Sequence, residues 1–197
     1  MENKDKIILH LCADIGSDTQ PYKDAGYDVR LIGSDIGVEK YHPPKNVYGI
    51  IANPPCTMFS IARQKAKTPR DLREGMRLVK ECQRIIWECL YDSFDGFTPS
   101  LKFWAIENPG SGLLKYFLGK PTFSYSPNEY GASWTKRTSL WGHFNPPIRP
   151  LMINPMPPNR SISDVITPMN TRNKYDRMNA RSECYIGFAK AFFLANP

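Results

Sequence analysis

Two apolar runs in this chain end abruptly at prolines, and each break carries a reactive or acidic side chain. Residues 47–52 (Val-Tyr-Gly-Ile-Ile-Ala) stop at Asn53-Pro54-Pro55-Cys56, and residues 101–106 stop at Glu107-Asn108-Pro109-Gly110. Short apolar runs bounded by turn residues read as buried strands, and proline cannot continue a central strand's hydrogen-bond ladder. Two strands that end this way predict two loops opening on one edge of a sheet.

The remaining pattern alternates between strand and helix. Residues 6–11 are an apolar run followed by the turn-rich Asp14-Ile15-Gly16-Ser17-Asp18. A helix is then expected over 19–25, closed by Gly26, and a strand over 29–32, stopped by Gly33. Leu72, Met76, Val79, Ile86 and Leu90 recur at helical spacing just after Pro69, which predicts a long amphipathic helix. Residues 182–196 suit a closing helix. The order predicts an α/β fold with a doubly wound, mainly parallel sheet, whose ligands bind beyond the carboxyl ends of the strands. At 197 residues the chain fits a single domain, 1–197, with a Pro- and Asn-rich segment at 143–181 read as irregular surface.

Charge and cysteine usage narrow the partners and the compartment. The formal charge is +7, and residues 136–181 carry eight Lys/Arg against only Asp164 and Asp176. A basic surface so localised suits a polyanion such as DNA, although a solvated basic face without a partner has the same composition. No run approaches the roughly 20 apolar residues of a membrane span, and residues 1–6 lack the apolar run of a signal peptide. A soluble chain of the cytoplasm, with no membrane partner, is the expectation. Cys12, Cys56, Cys82, Cys89 and Cys184 are odd in number and contain no Cys-x-x-Cys pair, which argues against a disulfide framework or a zinc site.

Gly16 in a turn after the first strand, with Asp35 beyond the second to take ribose hydroxyls, offers a place for a nucleotide-like cofactor. Cys56, directly after a rigid Pro-Pro, has little backbone freedom; taken alone it is as readily a small buried hydrophobe as a nucleophile. Glu107 on the second proline-ended strand is placed to face it across one cleft and share a proton.

These residues resemble the cytosine-5 DNA methyltransferases, in that family's order along the chain. Leu11-Cys12-Ala13-Asp14-Ile15-Gly16-Ser17, with Ala25-Gly26-Tyr27 after it, is similar to the family's Asp-Leu-Phe-x-Gly-x-Gly-Gly loop and trailing Ala-Gly-Phe. Pro54-Pro55-Cys56-Thr57-Met58-Phe59-Ser60 resembles Pro-Cys-Gln-x-Phe-Ser, and Glu107-Asn108-Pro109 resembles Glu-Asn-Val. Tyr130-Gly131 leading to Lys136-Arg137-Thr138 is similar to Tyr-Gly-x-Pro-Gln-x-Arg-x-Arg.

The resemblance implies a class I, Rossmann-like fold and S-adenosylmethionine as methyl donor. The donor would be held by Cys12, Ala13, Asp14, Ile15, Gly16, Asp35, Asn53 and Pro54. Cys56 would be the nucleophile that adds to cytosine carbon 6, with Glu107 on ring nitrogen 3 and Asn108 beside it. Ser60, Arg63, Lys65, Lys67 and Arg70 would close over phosphates, and Lys136 and Arg137 would support a flipped base. His10 and Asp14 stand where the family has Asp and Gly, Ser17 replaces its second Gly, and Pro109 its Val. An acid at Asp14 would suit the amino group of the donor.

Residues 36–46 are too few for the strand and helix the family inserts there, and 143–181 too few for its target-recognition domain. A reduced member of this kind, suited to a phage or mobile-element setting, would have relaxed sequence preference, an accessory specificity protein, or an accessible single-stranded substrate. Two other readings stay open. Asn53-Pro54-Pro55 also resembles the Asn-Pro-Pro-Tyr loop of amino methyltransferases, and a catalytically degenerate fold would serve as a nucleic-acid-binding module.

Overall fold

The computed structural model describes residues 2–13, 15–91, 100–150, 161 and 182–197. Among them six strands form one mixed sheet: β1 (Ile7–Leu11), β2 (Asp28–Ile32), β3 (Val47–Ala52), β4 (Phe103–Pro109), β5 (Phe123–Tyr125) and β6 (Thr138–His143). Their spatial order is β2-β1-β3-β4-β6-β5. The first four are mutually parallel, and β6 runs antiparallel to both β4 and β5.

Both faces of the central strands are covered, which is why β1 and β3 read as nearly continuous apolar runs. On one face Leu9, Leu11, Ile50 and Ile106 pack under Cys82, Ile85, Ile86 and Cys89 of the long helix α2 (Leu72–Tyr91). On the other, Ile8, Ile51 and Phe103 meet Tyr22 of α1 (Gln20–Asp24) and Phe188 and Phe192 of a C-terminal helix, Ile186–Ala195. That helix is α4; a short α3 (Lys115–Leu118) lies before β5. Of the spaced residues that predict α2, Val79 and Ile86 are buried in the core, while Leu72 and Met76 border a third cluster around Phe59, Leu114 and Trp141. Asp71 begins the helix, its Oδ1 accepting from the Glu74 amide at 3.0 Å. Gly26, at φ 83°, follows α1 in the left-handed conformation expected of a helix stop.

Two expectations need correction. The second proline-ended strand does not stop at Glu107: β4 runs on to Pro109, with Glu107, Asn108 and Pro109 opposite Leu140, Ser139 and Thr138 of β6. Beyond Ile106, the last β4 residue paired with β3, β4 has only β6 beside it, and an edge of this kind tolerates a missing N–H. The closing helix is shorter than 182–196, because residues 183–185 carry no regular structure and α4 begins only at Ile186. Of the 143–181 segment, His143 ends β6, residues 144–150 carry no regular structure, and all of 151–181 except Ser161 lies outside the described residues.

The short connection between β2 and β3 is braced from α2 rather than by a further strand. Arg84 reaches across to donate to the carbonyls of Val38 and Tyr41 while Glu81 and Glu88 hold its guanidinium. β2 and β3 flank β1 on opposite sides, so the loops after β1 and β3 diverge. Open α/β sheets bind ligands at such a divergence.

Candidate active site

The loop after β3 is built around Cys56. The Asn53 amide donates to Leu11 O at 2.9 Å, continuing the pairing of β1 and β3 past the last strand residue. Asn108, fully buried on β4, donates from its side chain to Pro54 O at 3.0 Å and so ties the Pro-Pro unit to the neighbouring strand. Cys56 O then accepts from both Phe59 N (2.9 Å) and Ser60 N (2.8 Å) in a tight turn, and Phe59 is fully buried against Gly75 of α2. The residue before that turn, Cys56, is left exposed.

Glu107 lines a narrow pocket with Asp18, Asn53, Lys136, Thr138 and Cys184. Burial pushes its carboxyl up; Lys136 pulls it down, Asp18 pushes it up, and a Thr138 hydroxyl hydrogen bond pulls it down. The Cys56 thiol is also pushed up, first by the protein volume on its inner side and then by Glu107, with Lys136 acting in the opposite sense. An exposed residue whose thiol is nonetheless desolvated has one open side. Cys56, Glu107 and Lys136 therefore lie within one another's fields, brought there from the β3 loop, β4 and the segment leading into β6.

The loop after β1 supplies a polar floor. Asn53 Nδ2 donates to Asp18 Oδ2 at 2.8 Å, which fixes the amide orientation, and its buried Oδ1 has no hydrogen-bond partner among the described residues. His10, buried in β1, lies 3.0 Å from Thr19 Oγ1 through Nδ1 and 3.8 Å from Asp18 Oδ2 through Nε2. Cys184, at the approach to α4, donates its amide to Ser17 Oγ at 2.9 Å, and burial followed by Asp18 pushes its thiol well up. Beside this floor a wider groove of about 830 Å³, solvent side included, runs between Ile15, Ser17 and Gln20 and the facing Trp134, Tyr185 and Ile186.

The expected cofactor residues separate into those at the crevice and those beneath it. Gly16 adopts φ 75°, Ile15 is exposed at the groove, and Asp35 is exposed on the turn after β2. Cys12 turns its Sγ to within 3.8 Å of Cys82 Sγ under α2, and buried Ala13 donates its amide to Ile32 O, so both shape the loop from below. Pro54 is buried, and Asp14 lies outside the described residues.

Two of the expected phosphate-binding cations serve the loop itself. Arg70 donates to the carbonyls of Met58 (2.7 Å) and Ser60 (2.9 Å), and Arg63 donates to Thr68 Oγ1 (2.6 Å) and Pro69 O (3.1 Å). Ser60 Oγ accepts from Ala62 N, and Lys67 is exposed; the Lys65 side chain lies outside the described residues. Lys136 enters the Glu107 pocket, whereas exposed Arg137 lays its stem by Gly110.

Asp18, Trp134, Cys184 and Tyr185 are site residues that the motifs leave out. Asp18 was within reach, two positions past Gly16. Trp134 sits inside the Tyr130–Thr138 motif stretch but is not one of its quoted residues, and Cys184 and Tyr185 come from a segment whose pattern speaks only of packing. Among the described residues no group of His, Cys, Asp and Glu is arranged to hold a metal ion, and no helix is long and apolar enough to cross a membrane. No protein-family model matches the chain, and no curated protein matches it in sequence.

Proposed function

We propose that the chain is an S-adenosylmethionine-dependent methyltransferase that modifies carbon 5 of cytosine in DNA. The observation that carries this reading is that Glu107 and Lys136, which line one pocket, both act on the charge of the nearby Cys56 thiol. The sheet supports it too: the parallel strands β2-β1-β3-β4, followed by an antiparallel β6, agree with a Rossmann-like methyltransferase lacking the inserted strand and helix.

The residues at the crevice fit a cationic donor. The Asp18 carboxylate and the partnerless Asn53 Oδ1 present acceptors to a positive centre, and the groove of Ile15, Trp134 and Ile186 offers apolar surface for the remainder of the molecule. S-adenosylmethionine bound there supplies an electrophilic methyl group for carbon 5.

The chain's own residues do the rest. The Cys56 thiol passes its proton to solvent as the sulfur bonds to carbon 6, while Glu107, whose carboxyl is pushed up by burial, shares a proton with ring nitrogen 3. The Lys136 ammonium stabilises the charge that develops on both groups. Asn108 holds Pro54, and through it the thiol, in place. Once carbon 5 carries the methyl group, a solvent base takes the carbon 5 proton, the carbon–sulfur bond breaks with its electron pair returning to Cys56, and nitrogen 3 hands its proton back to Glu107, which restores the ring.

An oligonucleotide containing 5-fluorocytosine has no carbon 5 proton to lose. With S-adenosylmethionine present, wild type is expected to give a covalent adduct stable to denaturing electrophoresis. Cys56→Ser should give none and should lower methylation by about three orders of magnitude. Absence of adduct from the wild type would remove the reading. One observation favours a second reading: the buried acceptor Asn53 Oδ1 would also suit an exocyclic amine, as in amino methyltransferases. Amino methylation would survive Cys56→Ser.

A further inference from the structure

The loop that carries Cys56 is backed by a rigid, partly aromatic shelf with no packing role for its outermost ring. Leu113 N donates to Phe59 O at 3.0 Å, fixing the entry to α3 against the Cys56 turn. Leu114 is fully buried in the cluster of Phe59, Val79 and Trp141, and Gly119 O accepts from Trp141 Nε1 at 2.9 Å at the far end. Between these anchors Tyr116 is 75% exposed and Phe117 47% exposed, the latter with its ring 6.2 Å from Phe59. Cations flank the shelf along the chain: Lys115 Nζ stands 5.4 Å from the centre of the Tyr116 ring, and Lys115 and Lys120 on either side of it in sequence are exposed, as is Arg137. Arg137 lies by Gly110, at the start of the loop that leads into α3.

A large exposed ring on a backbone pinned at both ends, among cations with no acidic residue in 110–120, matches a strand of unpaired bases on a phosphate chain. We propose that α3 is a single-stranded nucleic-acid platform, on which Tyr116 stacks an unpaired base next to the one that reaches Cys56 while Lys115, Lys120 and Arg137 take the adjoining phosphates. It deepens the methyltransferase reading and rests on it for the identity of the neighbouring base. Contact of this kind is tolerant of sequence, because every base has a stacking face.

The test uses a fluorescein-labelled single strand of thymine only, which contains no target base, and a duplex of A·T pairs of equal length. In fluorescence anisotropy, Tyr116→Ala should weaken single-strand binding about tenfold, Tyr116→Phe should leave it within about twofold, and duplex binding should be unchanged by either. Equal affinity of wild type and Tyr116→Ala for the single strand, or an equal loss in Tyr116→Phe, would overturn the platform, as would no binding by the wild type. Adduct formation on 5-fluorocytosine is scored separately. If the wild type forms no adduct but the Tyr116→Ala loss is seen, the platform stands and the methyltransferase reading falls.

Discussion

Cys56 and Glu107 are both held in their protonated forms more firmly than in water, and they need opposite things from the pocket. In the proposed reaction Cys56 must lose its proton to attack, and Glu107 must keep one to donate. Lys136 eases ionisation of both, and the Glu107 carboxylate opposes that of Cys56. Substitutions at the two neighbours should therefore move the thiol in opposite directions. Lys136→Met should shift the pH midpoint of Cys56 alkylation by iodoacetamide upward and slow it at neutral pH, and Glu107→Gln should shift it downward. Peptide mass mapping separates Cys56 from the four other cysteines, of which Cys82 and Cys89 are buried. Movement in the same direction for both variants would mean that burial alone sets the thiol.

At the scale of elements, the site depends on β4 serving two strands at once. Its first half pairs with β3, and its last three residues pair only with β6, so the alternation that sends Glu107 toward the pocket turns Asn108 toward Pro54. Asn108→Ala removes the donor that Pro54 O accepts, and should cost about 1–3 kcal/mol in chemical denaturation. It should also slow adduct formation beyond what the lost stability accounts for, because the thiol's loop is no longer tied to the strand bearing the acid. The central strands and α2 were legible from apolar runs and helical spacing because their residues face a core. β5 and β6 were not: Phe123–Tyr125 is three residues long, and the run 138–143 mixes Thr, Ser, Gly and His with two large apolar residues. Reading Glu107 as a strand end had the same cause, since the proline-tolerant edge exists only once β6 has docked. Cys56, Glu107, Lys136 and Asn53 could be found by motif, whereas Trp134, Cys184 and Tyr185 reach the site by folding alone.

Over the whole molecule, the acid in the pocket makes stability depend on pH. Its carboxyl lies above the ordinary 4.5 in the folded chain, so as pH rises past that value the unfolded chain gives up this proton first. Stability from this group is then lost with rising pH until the folded carboxyl also ionises. Glu107→Gln removes the effect, and its melting temperature relative to wild type should be lowest near pH 4, rise as pH climbs above 4.5, and level off where the folded carboxyl ionises. A constant margin would show that the carboxyl is not held up in the fold.

The two ends of the described chain meet at the sheet. Tyr22 OH donates to Asn196 O at 2.7 Å, Asn196 exchanges hydrogen bonds with Asn145, and the Cys184 amide is held by Ser17. A chain still emerging from the ribosome thus presents the Cys56 loop long before the residues that wall its pocket have been made. The proposed chemistry begins only after the last helix has docked.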